Sequence, residues 1–238
     1  MAGDATPAYL YIPELPDGGV PFLLPEEESH YVTRVCRARA GERVQATDGR
    51  GTLARLRLVE VRGRVLAEVE SSERCAPARR ARLLCGAPEG DRGDWLVEKL
   101  AELGLESFDP VDTDRGRWPG RGGRKARWER LAVAALRQCQ RTRLMAIAEP
   151  RPLADVLAGV PAEAQKWLAD ISGVQVGGEG MGGPGLAVVV IGPSGGLSPD
   201  ERSQLLATGF TAVRLADARL RTETAALAWA ALWAAAGR

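Results

Sequence analysis

The chain has 238 residues, which suffices for one large domain or for a small and a medium one. Hydrophobic residues make up 45% of it and charged residues 26%, a balance typical of a soluble protein with a packed core. The net charge of +1 excludes a uniformly basic coat for nucleic acid, but it does not exclude local basic patches.

The cysteines and the apolar segments indicate where in the cell the protein is expected. The four cysteines are widely spaced without a Cys-x-x-Cys pair, so we expect no metal site, no disulfides and reduced thiols in the cytoplasm. The first residues lack the basic start and apolar core of a signal peptide. The longest apolar run, residues 225–236, is too short for a bilayer, which needs about 20 residues. We therefore expect a buried or interface helix there and no membrane partner.

Residues 1–72 are predicted to form a small, mostly β unit, for which a barrel is one suitable arrangement. Only residues 26–39 have the periodicity of a helix. Residues 73–82 are polar and basic, which predicts a linker. The strand-like segments, with turn signals at Asp48-Gly49 and Arg62-Gly63, are 8–12, 42–51, 52–61 and 64–70.

Residues 83–238 alternate between strand and helix patterns, which predicts an α/β domain with a mainly parallel sheet. Ser198 has the signature of a helix start, with Pro199 in the first turn and Glu201 three residues after the cap. Strands are expected at 105–111, 166–171, 186–192 and 211–216, and helices at 94–104, at 125–141 and from Thr222. The inward-facing residues of the first two helices are predicted to be Trp95, Leu96, Leu100, Leu103, Trp128, Leu131, Leu136 and Cys139.

The loop at 192–196 matches Gly-x-Ser-x-Gly, the nucleophile elbow of esterases. A serine nucleophile of that kind needs a histidine after it in the chain, and the one histidine, His30, lies far upstream of Ser194. The esterase interpretation therefore fails. Residues 178–183 match Gly-x-Gly-x-x-Gly, but a strand follows them where a dinucleotide site needs a helix.

A glycine-rich loop between a buried strand and a capped helix remains. In open α/β sheets, ligands bind at the carboxyl ends of strands. Glycines allow a ligand to approach bare main chain at such a loop, whereas the alternative is a turn that only packs. The residues by themselves leave both interpretations open.

Five blocks occur in the same order as in one bacterial enzyme family, from about His30 to Leu227. They read "HYVTRVCRARAGERVQATDGRG", "EKLAELGL", "RWERLAVAALRQCQRTR", "VVIGPSGGLSPDE" and "LADARLRTETAAL". The chain thereby resembles the ribosomal RNA small subunit methyltransferase E family of the SPOUT class. The resemblance implies a PUA-like β-barrel followed by a SPOUT α/β domain with a trefoil knot. It also implies methyl transfer from S-adenosyl-L-methionine to N3 of one uridine in 16S rRNA of the small ribosomal subunit, by a homodimer without a metal.

The resemblance further implies a cofactor site at three loops. Family members commonly have glutamate at the position of Ser194 and glycine at that of Ala216, so a charged role is not expected at the first position and a tighter fit is expected at the second. The residues implied to bind the cofactor are Leu168, Ile191, Gly192, Pro193, Gly195, Gly196, Leu215, Ala216 and Leu220.

Two residues near the last helix are the candidates for catalysis. Arg221 would place positive charge beside the uridine oxygen that becomes negative as N3 loses its proton, or it would form a salt bridge at the helix start. Without a suitable histidine, the proton acceptor would be Glu223, Asp217 or a water molecule.

Contact with RNA or with the partner subunit is implied for Gln138, Arg141 and Thr142, whose alternative role is to complement a helix dipole. Two basic stretches would follow phosphates unless they are simply solvated, and in the second Trp118 would stack on a base. Their residues are Arg34, Arg37, Arg39 and Arg43 in the first, and Arg115, Arg117, Arg121, Arg124, Lys125 and Arg127 in the second. The competing functions are another SPOUT reaction, on tRNA or on a ribose 2′-oxygen, and an RNA-binding module without catalysis.

Overall fold

The chain divides into two units, each with its own β-sheet. The structure is a computed structural model that describes residues 8–76, 79–120, 123–177, 181, 183 and 185–236. The first unit comprises the chain up to Pro77 together with Leu136–Leu144, and the second comprises Ala78–Ala135 and Met145–Arg238. The predicted glycine stretch at 178–183 and Arg121 lie largely or wholly outside the described residues.

The first unit is built on a curled five-stranded sheet in the order β1-β3-β4-β5-β2. β1 pairs parallel to β3, and the other pairs are antiparallel. Its strands are β1 Tyr9–Tyr11, β2 Phe22–Leu23, β3 Arg43–Thr47, β4 Thr52–Arg62 and β5 Arg64–Arg74. Alternate residues of the long strands, among them Leu56, Leu58 and Val65, are fully buried, as the period of a half-buried strand requires.

The predicted helix at 26–39 is shorter and less regular than its periodicity suggested. It begins as α1, Glu26–His30, and continues as a π-helical turn over Tyr31–Val35. Arg37 then adopts a φ of 52°, in the left-handed region that a helix cannot include. The helical segment therefore ends at Val35, before residues 36–39, which were predicted to belong to it.

The turn between β3 and β4 confirms the Asp48-Gly49 signal. The Asp48 side chain is buried, and its Oδ1 accepts hydrogen bonds from the backbone N–H groups of Arg50, at 2.7 Å, and Thr52, at 2.9 Å. Its Oδ2 accepts a third from the Thr52 hydroxyl at 2.9 Å. Gly49 and Gly51 have φ values of 70° and 108°, which ordinary residues rarely adopt.

The second unit contains a sheet in the order β12-β10-β11-β6-β7-β8, with β9 paired to β7. Every strand pair in it is parallel, as predicted. Its strands are β6 Arg80–Cys85, β7 Ser107–Asp112, β8 Ala146–Ile147, β9 Arg151–Pro152, β10 Gln165–Gln175, β11 Leu186–Ile191 and β12 Thr211–Arg214.

Strands extend into both ends of the predicted linker at 73–82. β5 continues to Arg74 opposite Thr52, and β6 begins at Arg80. The basic character of the start of β6 concealed it, because Arg80 and Arg82 form side-chain hydrogen bonds with Glu106 and Asp109 on or beside the neighbouring strand. Paired in this way, the arginines are accommodated on a strand whose intervening residue, Ala81, is buried.

Helices cover the second sheet. α2 packs against α6, which also contacts β6 and β11, whereas α4 and α5 contribute Leu153, Val156 and Leu205 to a core with Leu168 and Val190. The helices are α2 Gly93–Leu103, α3 Arg124–Cys139, α4 Leu153–Leu157, α5 Pro199–Ala207 and α6 Thr222–Ala235. No helix in the described part of the chain is long and apolar enough to span a membrane.

The helix signals in the second unit are largely confirmed. Ser198 and Glu201 form the expected reciprocal capping box at the start of α5, and Gly104 ends α2 in the left-handed conformation. The prediction that Trp95 faces inward is wrong, since 49% of this residue is exposed. The buried face of α2 includes Leu96 and Leu100. Trp95 precedes Leu96 by one residue, which places its side chain about 100° around the helix from Leu96 and away from that face.

We predict that Asp48→Asn destabilises the first unit at neutral pH by about 1–3 kcal/mol, because an amide cannot accept all three hydrogen bonds. Burial alone would raise the pKa of Asp48, but the hydrogen bonds from Thr52 and Arg50 outweigh it and hold the pKa below its usual value. The stabilisation is therefore present above the usual carboxyl pKa and is lost as the pH falls through the lowered one. Urea denaturation across that acidic range measures it, with Asp17→Asn, an exposed carboxylate, as the control.

Candidate functional site

A cavity of about 550 Å³ lies in the second unit at the carboxyl ends of β11 and β12, beside the middle of β10. Its walls come from residues 168–171 of β10, from the loop after β11, and from the stretch between β12 and the first turn of α6. β11 lies between β10 and β6 in the sheet. From β6 the chain continues to β7 and β8 on one side, whereas β10, β11 and β12 lie on the other side, so the strand order changes direction between β6 and β11. Parallel sheets commonly bind ligands where the strand order changes direction.

All but one of the nine residues predicted to bind a cofactor line this cavity. The exception is Gly195, where an added Cβ would lie 2.9 Å from the Arg115 carbonyl oxygen, so this glycine faces the loop after β7. The residues on the cavity wall are Leu168, Ile191, Gly192, Pro193, Gly196, Leu215, Ala216 and Leu220. Three separate parts of the chain therefore meet at the cavity, but Leu168 lies within β10 and not on a loop after a strand, where it was expected.

Pro193 sits against two glycines that the sequence analysis missed. A Cβ at Gly86 would lie 2.4 Å from the Pro193 nitrogen, and one at Gly116 would lie 2.5 Å from the Pro193 Cβ. The N–H of Gly86 donates to the Ile191 carbonyl at 2.9 Å, and that of Ser194 to the Ala87 carbonyl at 3.2 Å. The position of Gly86 directly after a buried strand was the signal that could have identified it.

The start of α6 forms the wall opposite this loop. The Thr222 hydroxyl donates to the Gly192 carbonyl at 3.0 Å, which links the two walls. Glu223 is only 2% exposed, and its Oε1 accepts from Arg92 at the start of α2. Arg221 is in contrast largely exposed at the cavity, with its Nη1 3.9 Å from a carboxylate oxygen of Glu89. Of the three predicted proton acceptors, Glu223 lines the cavity and Asp217 does not.

A bulge in β10 brings a charged pair to the cavity. The pairing of β10 with β12 shifts register between Ala169 and Val174, and the intervening Asp170 lies on the cavity wall. Arg202 Nε donates to its Oδ2 at 2.5 Å, and the Ser172 N–H and hydroxyl donate to its Oδ1 at 2.8 Å. Burial acts to raise the pKa of Asp170, but these hydrogen bonds outweigh it and lower the pKa. Without a recognisable motif, the sequence did not indicate this pair.

The residues predicted to contact RNA are divided between the two units. The described residues of the second basic stretch, such as Arg115 and Arg117, belong to the second unit, and the other residues belong to the first. Gln138, Arg34 and Arg37 are exposed there, and Arg141 and Thr142 are partly buried. Arg43 is held by Glu70, with 2.8 Å between Nε and Oε2, so its charge is partly compensated.

The prediction that Trp118 stacks on a base is wrong. It is 5% exposed, and its ring packs edge-on against Phe108 and Trp128 in the second unit. Its indole N–H donates to the Cys85 carbonyl at 2.9 Å. Trp118 is therefore a core residue of the second unit. The glycines and arginines around it had indicated an exposed loop. Among the described residues, no group of three histidine, cysteine or acidic side chains has the arrangement of a metal site.

Comparison with known proteins identifies both units. Residues 76–234 match the family model of an RNA methyltransferase domain, and residues 24–70 match that of an RNA methyltransferase PUA domain. Ribosomal RNA small subunit methyltransferase E of Mycobacterium bovis is 31% identical over 235 residues, which cover 91% of this chain and 87% of that protein.

Solved structures agree with this result. The crystal structure of a ribosomal RNA small subunit methyltransferase E from Neisseria gonorrhoeae, bound to S-adenosyl methionine, is 28% identical with a TM-score of 0.85 and covers 94% of this chain and 95% of that one. A probable rRNA methyltransferase from Porphyromonas gingivalis is 27% identical with a TM-score of 0.79 over 94% and 95% of the two chains. The chain belongs to the ribosomal RNA small subunit methyltransferase E family.

Proposed function

We propose that this protein transfers the methyl group of S-adenosyl-L-methionine to N3 of one uridine in 16S rRNA. The observation that carries the proposal is the cavity at Gly192–Gly196, in a chain 28% identical to a relative solved with S-adenosyl methionine bound. Because the resemblance covers both units, the relative's rRNA substrate is the expected one here. The reaction on N3, as opposed to another position, rests on the family resemblance.

The cavity suits this cofactor chemically. Leu168, Ile191, Leu215 and Leu220 supply apolar surface for an adenine ring, and the main chain of the 192–196 loop supplies hydrogen-bonding groups. The cofactor when bound supplies a methyl group on a positively charged sulfur. The protein's own contribution is then to hold two reactants in line, which accounts for much of the rate of such displacements.

Arg221 is the residue we assign to charge stabilisation. Its exposed guanidinium is the part of the α6 wall able to reach an RNA base at the cavity, where it would favour the negative oxygen formed as N3 loses its proton. Glu223 is buried and engaged by Arg92, so we assign it to positioning the start of α6. The proton then passes to water on the open side of the cavity.

The same proposal includes an assembly and a location. The family resemblance supports a homodimer, a trefoil knot in the second unit, and RNA contact through Gln138, Arg141, Thr142, Arg34 and Arg37. The ribosomal RNA named as the substrate of the relatives supports a cytoplasmic location.

The target is tested by mass spectrometry of 16S rRNA from a strain lacking the gene, before and after incubation of its small subunits with the protein and cofactor. We expect one N3-methyluridine that is absent before incubation. Methyl groups on ribose or on tRNA would transfer the proposal to another SPOUT reaction. Failure to bind the cofactor in calorimetry would instead indicate an RNA-binding module.

We predict that Gly116→Ala weakens cofactor binding at least about tenfold, or about 1.4 kcal/mol, because the new methyl group displaces Pro193 from the cavity wall. Calorimetry measures the affinity, and thermal denaturation verifies the fold. Gly177→Ala is the matched control, since nothing lies within 4 Å of its added methyl group. Equal affinities of the two variants would contradict the assignment of this loop.

We predict that Arg221→Ala lowers the methylation rate constant on saturating RNA by about 10²–10³-fold, the usual loss when one group that stabilises a developing oxyanion is removed. Cofactor affinity should change little, because the exposed guanidinium is not part of the apolar wall. Single-turnover methylation and calorimetry separate the two effects. A loss of cofactor affinity as large as the loss of rate would assign Arg221 to cofactor binding.

A further inference from the structure

The segment at 140–144, which follows α3, is bound to the rest of the first unit through hydrogen bonds to its main chain. The Tyr9 hydroxyl donates to the Arg141 carbonyl at 3.0 Å, and the Thr47 hydroxyl donates to the Thr142 carbonyl at 3.0 Å. The Gly51 N–H donates to the same Thr142 carbonyl at 2.8 Å. We call this group, consisting of Tyr9, Thr47 and Gly51, the carbonyl clamp.

The clamp is a buried and specific arrangement. Tyr9 is 3% exposed and Thr47 is fully buried, so an unpaired hydroxyl at either position would leave a desolvated polar group. Burial raises the pKa of Tyr9 to about 12, although a hydrogen bond with Thr47 opposes this effect, so the phenol remains a proton donor throughout the neutral range.

The neighbouring turn is shaped to receive the segment. A Cβ at Gly49 would lie 3.2 Å from the Leu144 Cβ, and one at Gly51 would lie 2.4 Å from the Arg143 guanidinium. The Leu144 N–H also donates to the Gly49 carbonyl at 2.9 Å. Side chains at these two turn positions would therefore displace the segment.

The exit from α3 is conformationally restricted as well. Gln140 adopts a φ of 52°, in the left-handed region where glycine is usual, and the Arg141 N–H returns to the Leu136 carbonyl at 3.1 Å. One turn earlier, Arg137 forms an ion pair with the buried Glu28 and lies over the Tyr31 ring, 5.6 Å from its centroid. The segment is thus fixed on both sides of Gln138.

We propose that Tyr9 and Thr47 are positioning residues for RNA recognition, which act by fixing the main chain of Arg141 and Thr142. This inference rests on the proposed function, in which Gln138, Arg141 and Thr142 contact the RNA. Removing either hydroxyl releases the main chain that carries those side chains, while the cofactor cavity is lined by residues of the second unit. The effect should therefore fall on RNA affinity and not on cofactor affinity.

The test uses Tyr9→Phe and Thr47→Val in the full-length protein, each of which removes one hydroxyl and preserves most of the side-chain volume. We expect the Kd for 16S rRNA, measured by fluorescence anisotropy at fixed ionic strength, and the KM for the small subunit to rise about three- to tenfold. The kcat and the cofactor Kd should remain within about twofold of wild type. Thr33→Val is the matched control, because its hydroxyl donates to carbonyls of its own helical segment, at Ser29 and His30.

A double-mutant cycle distinguishes positioning from general stability. In an Arg141→Ala background, Tyr9→Phe should weaken RNA binding by clearly less than it does in the wild type, because the side chain that it positions is absent. Unchanged RNA affinity in Tyr9→Phe, full additivity with Arg141→Ala, or a parallel loss of cofactor affinity would each overturn the inference. A wild-type protein that binds RNA without methylating it would refute the proposed function alone, since the affinity measurements still test the clamp.

Discussion

The contact of Pro193 with Gly86 and Gly116 is the constraint on which the cavity depends. Hydrogen atoms replace side chains at both glycines, so the loop after β11 approaches two neighbouring loops more closely than any Cβ would allow. In the same loop, the Gly192 carbonyl accepts a hydrogen bond from the Thr222 hydroxyl at the start of α6. A close main-chain contact at one strand end thereby sets the distance between two cavity walls.

Polar groups fix the remaining walls without adding net charge. Asp170 is engaged by Arg202, and Glu223 by Arg92, so each buried or partly buried carboxylate lies beside a guanidinium. Breaking either pair would leave a charge in a poorly solvated place, a change that costs more than the pair itself contributes. Arg221 differs in that its contact with Glu89 is long and exposed, which leaves its charge available to a bound molecule.

The sequence predicted the second unit well where local rules decide the structure. The capping residues of α5, the stop at Gly104 and the apolar run of β11 all act within a few residues, and all three were found as expected. Prediction from the sequence failed where the structure of a segment depends on contacts with residues distant in the chain. The start of β6 is basic because carboxylates near β7 accept its arginines, and Trp118 is buried because Phe108 and Trp128 surround it. No pattern within the segment itself contains that information.

The same distinction between local patterns and distant contacts applies to the candidate site. Eight of the nine residues that the family resemblance predicts for the cofactor line one cavity. Gly86, Asp170 and Arg202 were not predicted, because each acts through a contact with a residue distant in sequence and not through its neighbours in the chain.

The structure also explains why the cavity favours positioning over covalent catalysis. Ser194 directs its N–H to the Ala87 carbonyl, and no histidine is available to activate its hydroxyl. Burial raises the pKa of the nearby Cys85 thiol, and the charge of Glu223 raises it further, so this group remains protonated and unreactive. Since neither side chain is an activated nucleophile, transfer between two bound molecules is the chemistry that suits these described walls. Such a reaction depends on accurate placement of the two molecules, and positive charge beside the acceptor, the role proposed for Arg221, would assist it.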